Sequence, residues 1–369
     1  MKESKPSESQ YSLIDRLIHR IALGSQLIRE VSFDLERLTL EKGESTSIQD
    51  APVYVCGLAR SGTTMLLRVL ENATPLASLN YRDMPFIMAP NLWGKVSKIN
   101  SKKGSISERA HGDGIAVSYD SPEAFEEVFW KTFCKNNDEE PSCYSLEDPT
   151  DEVMSRFSDY RKAVIISKKD RPKAANPSRY LSKNNNNIIR INSLLRDKSS
   201  RVLLAYRDPI ETAVSLHSQH KRFQEQQTRD PFTLEYMNWL GHHEFGINQK
   251  PFLFACDSRT KELSPDQLEY WLHYWNNAYT RLLENDSDRI HLIHHESLRT
   301  NPSLFIELLL KELDIKEADK NIHHEIKPPS TKKTKNEINL PGELAERSQL
   351  TYQKLLNDKR NILVTENYK

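Results

Sequence analysis

A short segment, in which an apolar stretch leads through a glycine-bounded turn into a helical pattern, constrains this chain more than any other feature. Residues 52–56 read Pro-Val-Tyr-Val-Cys, which is typical of a buried strand, and the turn Gly57-Leu-Ala-Arg-Ser-Gly-Thr-Thr64 follows at once. Only 11 of the 369 residues are glycine, so two of them within six positions need a structural reason. A strand, a tight turn and a helix in this order place backbone N–H groups and the positive helix end where they can hold an anion.

The turn differs from the nucleoside-triphosphate loop G-x-x-x-x-G-K-[ST] at the position of its lysine, where this chain has Thr63. Kinases and ATPases generally need that lysine at the β- and γ-phosphates, together with a metal-binding carboxylate. Here the cation comes earlier, at Arg60, and the positions after it offer hydroxyl side chains. This arrangement favours a smaller anion carried on a 5′-phosphate. The predicted anion-binding residues are Arg60, Ser61, Gly62, Thr63 and Thr64. A kinase-like phosphotransferase is the alternative.

A second candidate anion site follows residues 201–206, Arg-Val-Leu-Leu-Ala-Tyr, which also predict a buried strand. Arg207 comes directly after that stretch, and Asp208 is placed to cap the next helix. Ser215 lies eight residues beyond Arg207, about two helical turns on, so a guanidinium and a hydroxyl can hold one phosphate from two sides. The alternative is an ion pair of Arg207 with Asp208 or Glu211. Two such sites suit a ligand with phosphate at both ends of its ribose.

At these residues the chain resembles the sulfotransferases that use 3′-phosphoadenosine 5′-phosphosulfate (PAPS). The segment PVYVCGLARSGTTMLLRVL is similar to their 5′-phosphosulfate loop, and RVLLAYRDPIETAVS is similar to their 3′-phosphate motif, with the same spacing between Arg207 and Ser215. Arg60 is similar to the arginine of tyrosylprotein and carbohydrate-type members, where the cytosolic small-molecule members have lysine. The resemblance is strong over residues 52–72 and 180–223, and weaker over 266–302.

The resemblance implies a parallel-sheet core related to nucleotide kinases, with PAPS as donor and adenosine 3′,5′-bisphosphate (PAP) as product. In that reaction the sulfuryl group passes to a hydroxyl or amine of an acceptor. The sequence does not decide whether the acceptor is a carbohydrate, a small molecule, a lipid or a protein tyrosine. A PAP-binding protein without turnover is the non-enzymatic alternative. Sulfuryl transfer requires no metal, and none is predicted.

Three residues are candidates for the chemistry. Lys183, 24 residues before Arg207, is similar in place to a lysine that contacts the transferred group in tyrosylprotein sulfotransferases, and we expect it at the start of a helix. Asp83 and His111 compete as general base, a role that this family gives to a carboxylate or a histidine. Asp83 is at a spacing from Arg60 similar to that of a family glutamate, and His111 has glycine neighbours that suggest an unusual turn. An ion pair for Asp83 and turn capping for His111 are the structural alternatives.

The alternation of strand and helix patterns predicts an α/β fold, with a P-loop-like parallel sheet flanked by helices and interrupted by helical insertions. Residues 1–50 are expected to form an N-terminal helical segment packed on the core, with one long helix over 11–40. Residues 51–369 are expected to form a single domain with an insertion at about 81–176. A loop with Lys327, Lys332, Lys333 and Lys335 is a candidate for closing over the donor.

Composition excludes several classes of protein. Fifty-two basic and 52 acidic residues give a net charge of zero, which argues against a nucleic-acid partner. The sequence predicts no membrane span and no secretion signal, because it has no apolar run of 18 residues and a polar start. Four scattered cysteines are expected as reduced thiols in a cytoplasmic protein.

Histidine pairs followed by glutamate recur at His242, His294 and His323, but adjacent histidines point to different faces and do not predict a metal site. A homodimer is one possible assembly.

Overall fold

Five parallel strands in the order β2-β5-β1-β6-β7 form the central sheet of the computed structural model. Strand β1 lies in the middle, where Val53 is paired with Leu181 of β5 on one side and with Arg201 of β6 on the other. All pairings in this sheet are parallel, so the carboxyl ends of β1, β5 and β6 meet at one edge. The strands are β1 (Val53–Cys56), β2 (Leu76–Ala77), β5 (Arg179–Lys183), β6 (Arg201–Tyr206) and β7 (Ile290–His294), and a separate antiparallel pair comprises β3 (Ser107–Glu108) and β4 (Ala116–Val117).

Helices cover the sheet. They are α1 (Leu13–Gly24), α2 (Gln26–Leu40), α3 (Thr63–Ala73), α4 (Pro90–Ser97), α5 (Glu127–Phe133), α6 (Asp151–Ser167), α7 (Ile191–Leu194), α8 (Pro209–Arg229), α9 (Pro231–Leu240), α10 (Ser258–Glu262), α11 (Leu268–Leu283), α12 (His295–Thr300), α13 (Pro302–Glu312) and α14 (Gly342–Leu356). Short 3₁₀ helices span Tyr81–Asp83, Asn185–Arg190 and Leu253–Ala255. The structure describes residues 13–40, 51–97, 107–108, 116–117, 123–134, 143–169, 177–318, 326 and 340–364. Within them, no helix has both the length and the apolar character needed to cross a membrane.

The two faces of the sheet pack into separate apolar cores, which explains why β1 is apolar at successive positions. Val53 and Val55 contribute to one core, with residues of α3 and α13. Tyr54 and Cys56 point to the other face and join the aromatic side chains of α6 and α11. Alternate residues of a strand face opposite sides, so a central strand covered on both sides is apolar throughout. The α/β prediction with a parallel sheet is confirmed.

The N-terminal segment is two helices, and the single helix predicted over residues 11–40 is wrong. The break comes at Ser25, whose hydroxyl accepts a hydrogen bond from the Ile28 backbone N–H at 3.4 Å and begins the second helix. Helix α1 packs on α9, and α2 packs on α4, α5 and α6. The domain boundary at residue 50 and the bounds of the insertion stay predictions.

Candidate functional site

The turn after β1, here called the anion loop (residues 57–64), depends on three residues with positive φ. Gly57 has φ of +145°, and a Cβ there would lie 2.4 Å from the Ala205 carbonyl oxygen of β6. Gly62 has φ of +96°, and Arg60, which is not a glycine, has φ of +72°. A non-glycine residue in this region is strained, and such strain clusters at functional sites. The loop is thus held in a conformation that the chain does not adopt without support.

The support comes from hydrogen bonds inside the loop and from a buried tyrosine below it. Ser61 donates to the Leu58 carbonyl through its backbone N–H (3.2 Å) and its hydroxyl (2.7 Å). Tyr279 of α11 donates to the Ala205 carbonyl at 2.7 Å, and burial raises the pKa of its phenol. Helix α3 starts at the end of the loop, and its N-cap residue Gly62 provides no side-chain cap. The first N–H groups of α3 therefore suit an anionic ligand.

Arg60 and Ser215 are in direct contact. The Arg60 Nε donates to the Ser215 hydroxyl at 2.9 Å, across 155 positions of sequence. The sequence analysis predicted these residues to bind opposite ends of one ligand, and here the anion loop and helix α8 meet through them. The two candidate anion sites are neighbours at the carboxyl edge of the sheet.

Arg207 follows β6 and is paired with acidic side chains. Its guanidinium bonds Glu211, one turn along α8, and its Nε lies 3.7 Å from Glu296 Oε1 of α12. Asp208 caps α8 by accepting from the Glu211 backbone N–H at 2.9 Å. The ion pair with Glu211, which the sequence analysis held as the alternative to phosphate binding, is present. The Arg207 side chain is 21% exposed, so solvent reaches it.

Two adjacent histidines stand at the end of β7, and the second of them, His295, packs against the anion loop. An ideal Cβ on Gly62 would fall 2.3 Å from the His295 Nδ1, so the imidazole occupies the space that any larger residue at 62 would need. The His295 Nδ1 is buried and has no hydrogen-bond partner among the residues that the structure describes, and burial lowers the pKa of this imidazole to about 3. His294 is bound on both ring nitrogens, by the Ser297 hydroxyl at 2.7 Å and by Tyr352 of α14 at 2.8 Å. We assign His294 a structural role.

Lys183 ends strand β5 and is 6% exposed, whereas the sequence analysis placed it at a helix start. Its register partner is Val55 of β1, so it stands at the same sheet edge as the anion loop. Its side chain lines a narrow recess together with Ser78, Leu79, Glu123, Glu126, Tyr180, Leu181 and Ser182. The carboxylate of Glu126 accepts from three neutral donors there, the Trp130 indole, Asn187 and Tyr180.

The four asparagines after Lys183 are buried, and the side chain of each makes at least one hydrogen bond. Asn184 donates to Glu127 at 2.7 Å, and Asn187 donates to Glu126 at 2.8 Å. Arg190 closes this network with two hydrogen bonds to Glu127. Burial acts to lower the pKa of Arg190, but the carboxylates of Glu127 and Glu147 raise it. A buried polar network in which each member is bonded holds one geometry.

Asn185 connects the anion loop to a His–Glu pair. The Thr63 hydroxyl donates to Asn185 Oδ1 at 3.3 Å, and Asn185 Nδ2 donates to Glu244 Oε1 at 2.9 Å. His242 Nδ1 lies 3.5 Å from the same Glu244 oxygen. Burial acts to raise the pKa of Glu244, but the charges of His242 and Lys183 and the hydrogen bond from His242 lower it well below its usual range. The Glu244 carboxylate therefore stays ionised.

Asp83 is buried in a structural arrangement. Its carboxylate pairs with the buried Lys168 ammonium and accepts from the Asn80 backbone N–H at 2.8 Å, as part of a capping box on the short helix Tyr81–Asp83. The ion pair that the sequence analysis held as the alternative for Asp83 is present. His111 and the lysines at 327, 332, 333 and 335 lie outside the described residues.

The sequence analysis missed Asn185, Glu244 and His242 as parts of one site. The asparagine run and the His-His-Glu triplet at His242 were visible signals, but nothing in the sequence connected them. Among the described residues, no group of three or more His, Cys, Asp and Glu side chains is placed to hold a metal ion.

Comparison with known protein families gives one match. The family model described as Sulfotransferase family matches residues 52–319. Among solved structures, this chain is similar to sulfotransferase STF1 from Mycobacterium tuberculosis H37Rv, at 11% identity and a TM-score of 0.47, over 87% of this chain and 82% of that chain. It is also similar to sulfotransferase STF9 from Mycobacterium avium, at 12% identity and a TM-score of 0.43, over 98% of this chain and 82% of that one. No curated protein matches.

Proposed function

Because the chain belongs to the sulfotransferase family, we propose that it transfers the sulfuryl group of PAPS to a hydroxyl or amine of an acceptor. The observation that carries this proposal is the 2.9 Å hydrogen bond between Arg60 and Ser215. It joins a motif similar to the 5′-phosphosulfate loop to one similar to the 3′-phosphate motif. A ligand with phosphates on both ends of one ribose needs two adjacent anion sites of this kind.

In the proposed complex, the anion loop holds the 5′ end of the donor and Arg207 holds the 3′-phosphate. Backbone N–H groups at the start of α3 and the Arg60 guanidinium face the 5′ end, and residues 61–64 complete that site. Arg207 and Ser215 bind the 3′-phosphate from two sides, and the guanidinium exchanges Glu211 for the more highly charged phosphate. Glu211 is half exposed, so solvent takes over its carboxylate when the pair opens.

Lys183 is proposed to stabilise the charge that develops when the sulfuryl group leaves. Transfer needs an acceptor stripped of its proton, in-line placement, and positive charge near the leaving oxygen. Lys183 stands at the edge where β1 and β5 end together, and its burial strengthens its electrostatic effect. The role of Asp83 or His111 as base stays a prediction, and the ion pair of Asp83 with Lys168 speaks against the first.

The finer parts of this function stay predictions too. The acceptor is open among a carbohydrate, a small molecule, a lipid and a protein tyrosine, and the reaction is proposed to need no metal. The cytoplasmic location and the homodimer likewise have the standing of predictions.

Thermal-shift titration with PAP in the absence of magnesium tests the donor site. A free PAP concentration of one hundred times Kd stabilises the folded protein by about 2.7 kcal/mol, which raises the melting temperature. Ser215→Ala should weaken this response, because it removes the hydroxyl that Arg60 contacts. Ser218→Ala is the matched control, on the exposed side of the same helix three residues further on.

A protein that responds to Mg-ATP and not to PAP would contradict the proposal and favour the kinase-like alternative. Binding of PAP without turnover of labelled PAPS in a cell extract would favour the non-enzymatic alternative. Where label is transferred, mass spectrometry of the labelled product identifies the acceptor.

A further inference from the structure

We propose that His242 is a catalytic base that takes the proton of the acceptor hydroxyl, and that Glu244 orients its imidazole. This inference rests on the proposed sulfuryl transfer and assigns its proton acceptor to residues that the sequence analysis passed over. The observation behind it is a chain of contacts that connects the anion loop to the imidazole.

The segment that carries the pair is fixed on the buried asparagines. Helix α9 ends at Gly241, which has φ of +71° and leaves no room for a side chain, since a Cβ would lie 2.4 Å from Glu127 Cγ. The Gly241 carbonyl accepts from Asn186 Nδ2 at 3.0 Å and from the Tyr144 hydroxyl at 3.2 Å. The His242 backbone N–H donates to Met237 at 3.0 Å. The turn therefore holds His242 in one place relative to the strand end at Lys183.

Glu244 connects this turn to the donor side of the site. One carboxylate oxygen, Oε1, accepts from Asn185 and faces His242 Nδ1, while Asn185 in turn accepts from Thr63 of the anion loop. The His242 Nδ1 is 3.5 Å from that oxygen. Catalytic hydrogen bonds of this length tighten when substrate is bound.

Charge and exposure decide what the imidazole can do. The Glu244 carboxylate is only 14% exposed and faces Nδ1, so in the neutral form of the imidazole it takes the N–H on Nδ1 and leaves the lone pair on Nε2. The His242 side chain is 20% exposed, so an acceptor can approach it from solvent.

The step balances with the acceptor and PAPS alone. Nε2 of His242 takes the proton of the acceptor hydroxyl as the acceptor oxygen forms its bond to sulfur. The bond from sulfur to the oxygen of the 5′-phosphate breaks, and that oxygen keeps the electron pair as part of PAP. The imidazolium is stabilised by Glu244, and the new charge on PAP is stabilised by Lys183 and Arg60.

His243, the neighbour of His242, has the contacts of a structural histidine. The His243 Nδ1 lies 3.0 Å from the Asn248 carbonyl, and burial lowers the pKa of that imidazole to about 4. Its side chain bonds the local backbone at Asn248, whereas the imidazole that faces the Glu244 carboxylate oxygen at 3.5 Å is that of His242. His243→Asn, which keeps a donor for Asn248, is therefore the matched control for His242.

The experiment measures transfer of the ³⁵S-sulfuryl group from labelled PAPS to phenol and to water, with PAP affinity measured by calorimetry. Phenol keeps its proton at neutral pH, as a tyrosine side chain does, so its reaction needs a base. We expect His242→Ala to lower the rate by about 10²-fold to 10⁴-fold with unchanged PAP affinity, and added imidazole to restore part of it. Glu244→Gln should lower the rate on the order of tenfold or more, and Glu244→Asp should recover part of that loss. His243→Asn should retain the wild-type rate.

The outcomes separate this inference from the proposed function. Wild-type protein that fails to bind PAP overturns the proposed function and the inference with it. Normal PAP binding with an unchanged rate in His242→Ala overturns the base assignment alone, as does a rate loss that imidazole does not restore. Where the wild-type protein binds PAP and transfers label to neither phenol nor water, a cell extract replaces them as the source of acceptor, and the same variants are compared with the same outcomes.

Discussion

The ion pair between Asp83 and Lys168 makes a sharp prediction, because a catalytic base and a buried structural carboxylate respond differently to substitution. The Asp83 side chain is 4% exposed and the Lys168 side chain is fully buried. Removal of one member of a buried pair leaves the other charge without compensation and costs about 3 to 5 kcal/mol of the free energy of unfolding. We therefore expect Asp83→Asn and Lys168→Met each to destabilise the protein by this amount.

The double variant carries the test. Replacing both members of a buried pair by neutral side chains is often nearly neutral, so Asp83→Asn combined with Lys168→Met should recover most of the lost stability. The Asn80 backbone N–H keeps an acceptor in the asparagine oxygen, since the bond it makes to Asp83 is 2.8 Å long. Urea denaturation gives the three free energies, and the coupling follows from a double-mutant cycle.

Turnover of the refolded double variant then separates the two roles. If Asp83 is structural, the double variant transfers the sulfuryl group from PAPS at close to the wild-type rate. A stable double variant whose rate falls by about 10²-fold or more would falsify the structural assignment and return Asp83 to the role of base. A single Asp83→Asn variant as stable as wild type would refute the energetic argument itself.

Other predictions concern the anion loop and the cysteines. Gly62→Ala should weaken PAP binding on the order of tenfold, because the left-handed backbone costs an L-residue about 1 to 2 kcal/mol and the new Cβ meets His295. Calorimetry measures the affinity for PAP. The control is Gly94→Ala, whose Cβ meets no described atom within 4 Å and should leave that affinity unchanged. The pKa of His295 is lowered from 6.5 to about 3, so between these pH values the unfolded chain binds a proton that the folded chain does not. The free energy of unfolding should therefore be full above pH 6.5 and fall by up to about 1.4 kcal/mol per pH unit toward pH 3. In His295→Gln the free energy of unfolding should fall less steeply with pH. Burial raises the pKa of Cys134 and Cys256 to about 12, so mass spectrometry should find both thiols slow to alkylate at pH 8, and rapid labelling of the folded protein would contradict this.

The parts of the fold that could be predicted are those where local pattern and tertiary role agree. Residues 202–206 are apolar because the strand is covered on both faces, and Arg207 and Asp208 end it with a charge and a helix cap. The turn conformation of the anion loop could equally be predicted, since its glycines stand at the positions where positive φ is required. In each case the residues that fix the local structure are adjacent in the sequence.

Strand β5 could not be predicted in this way, because its sequence is polar. Residues 179–183 read Arg-Tyr-Leu-Ser-Lys and are buried throughout, as is the asparagine run that follows. Arg179 is satisfied by the backbone carbonyls of Ala51 and Leu313, which lie 128 and 134 positions away. Hydropathy describes a residue alone, whereas burial of a polar side chain depends on partners that only the fold brings near.

The same reasoning explains why the candidate site contains a buried polar network that its sequence motifs do not predict. The asparagine run is tolerated inside the protein because Glu126 and Glu127, from a helix some 60 residues earlier, accept its amide protons. Once these bonds are made, the network fixes both the strand end at Lys183 and the turn at Gly241. A polar network of this kind holds two groups from distant parts of the chain at a set separation, as sulfuryl transfer between a bound donor and a deprotonated acceptor requires. Loss of one bond, as in Asn186→Ala, should therefore lower turnover while leaving PAP affinity unchanged, because Asn186 contacts the turn and not the anion loop.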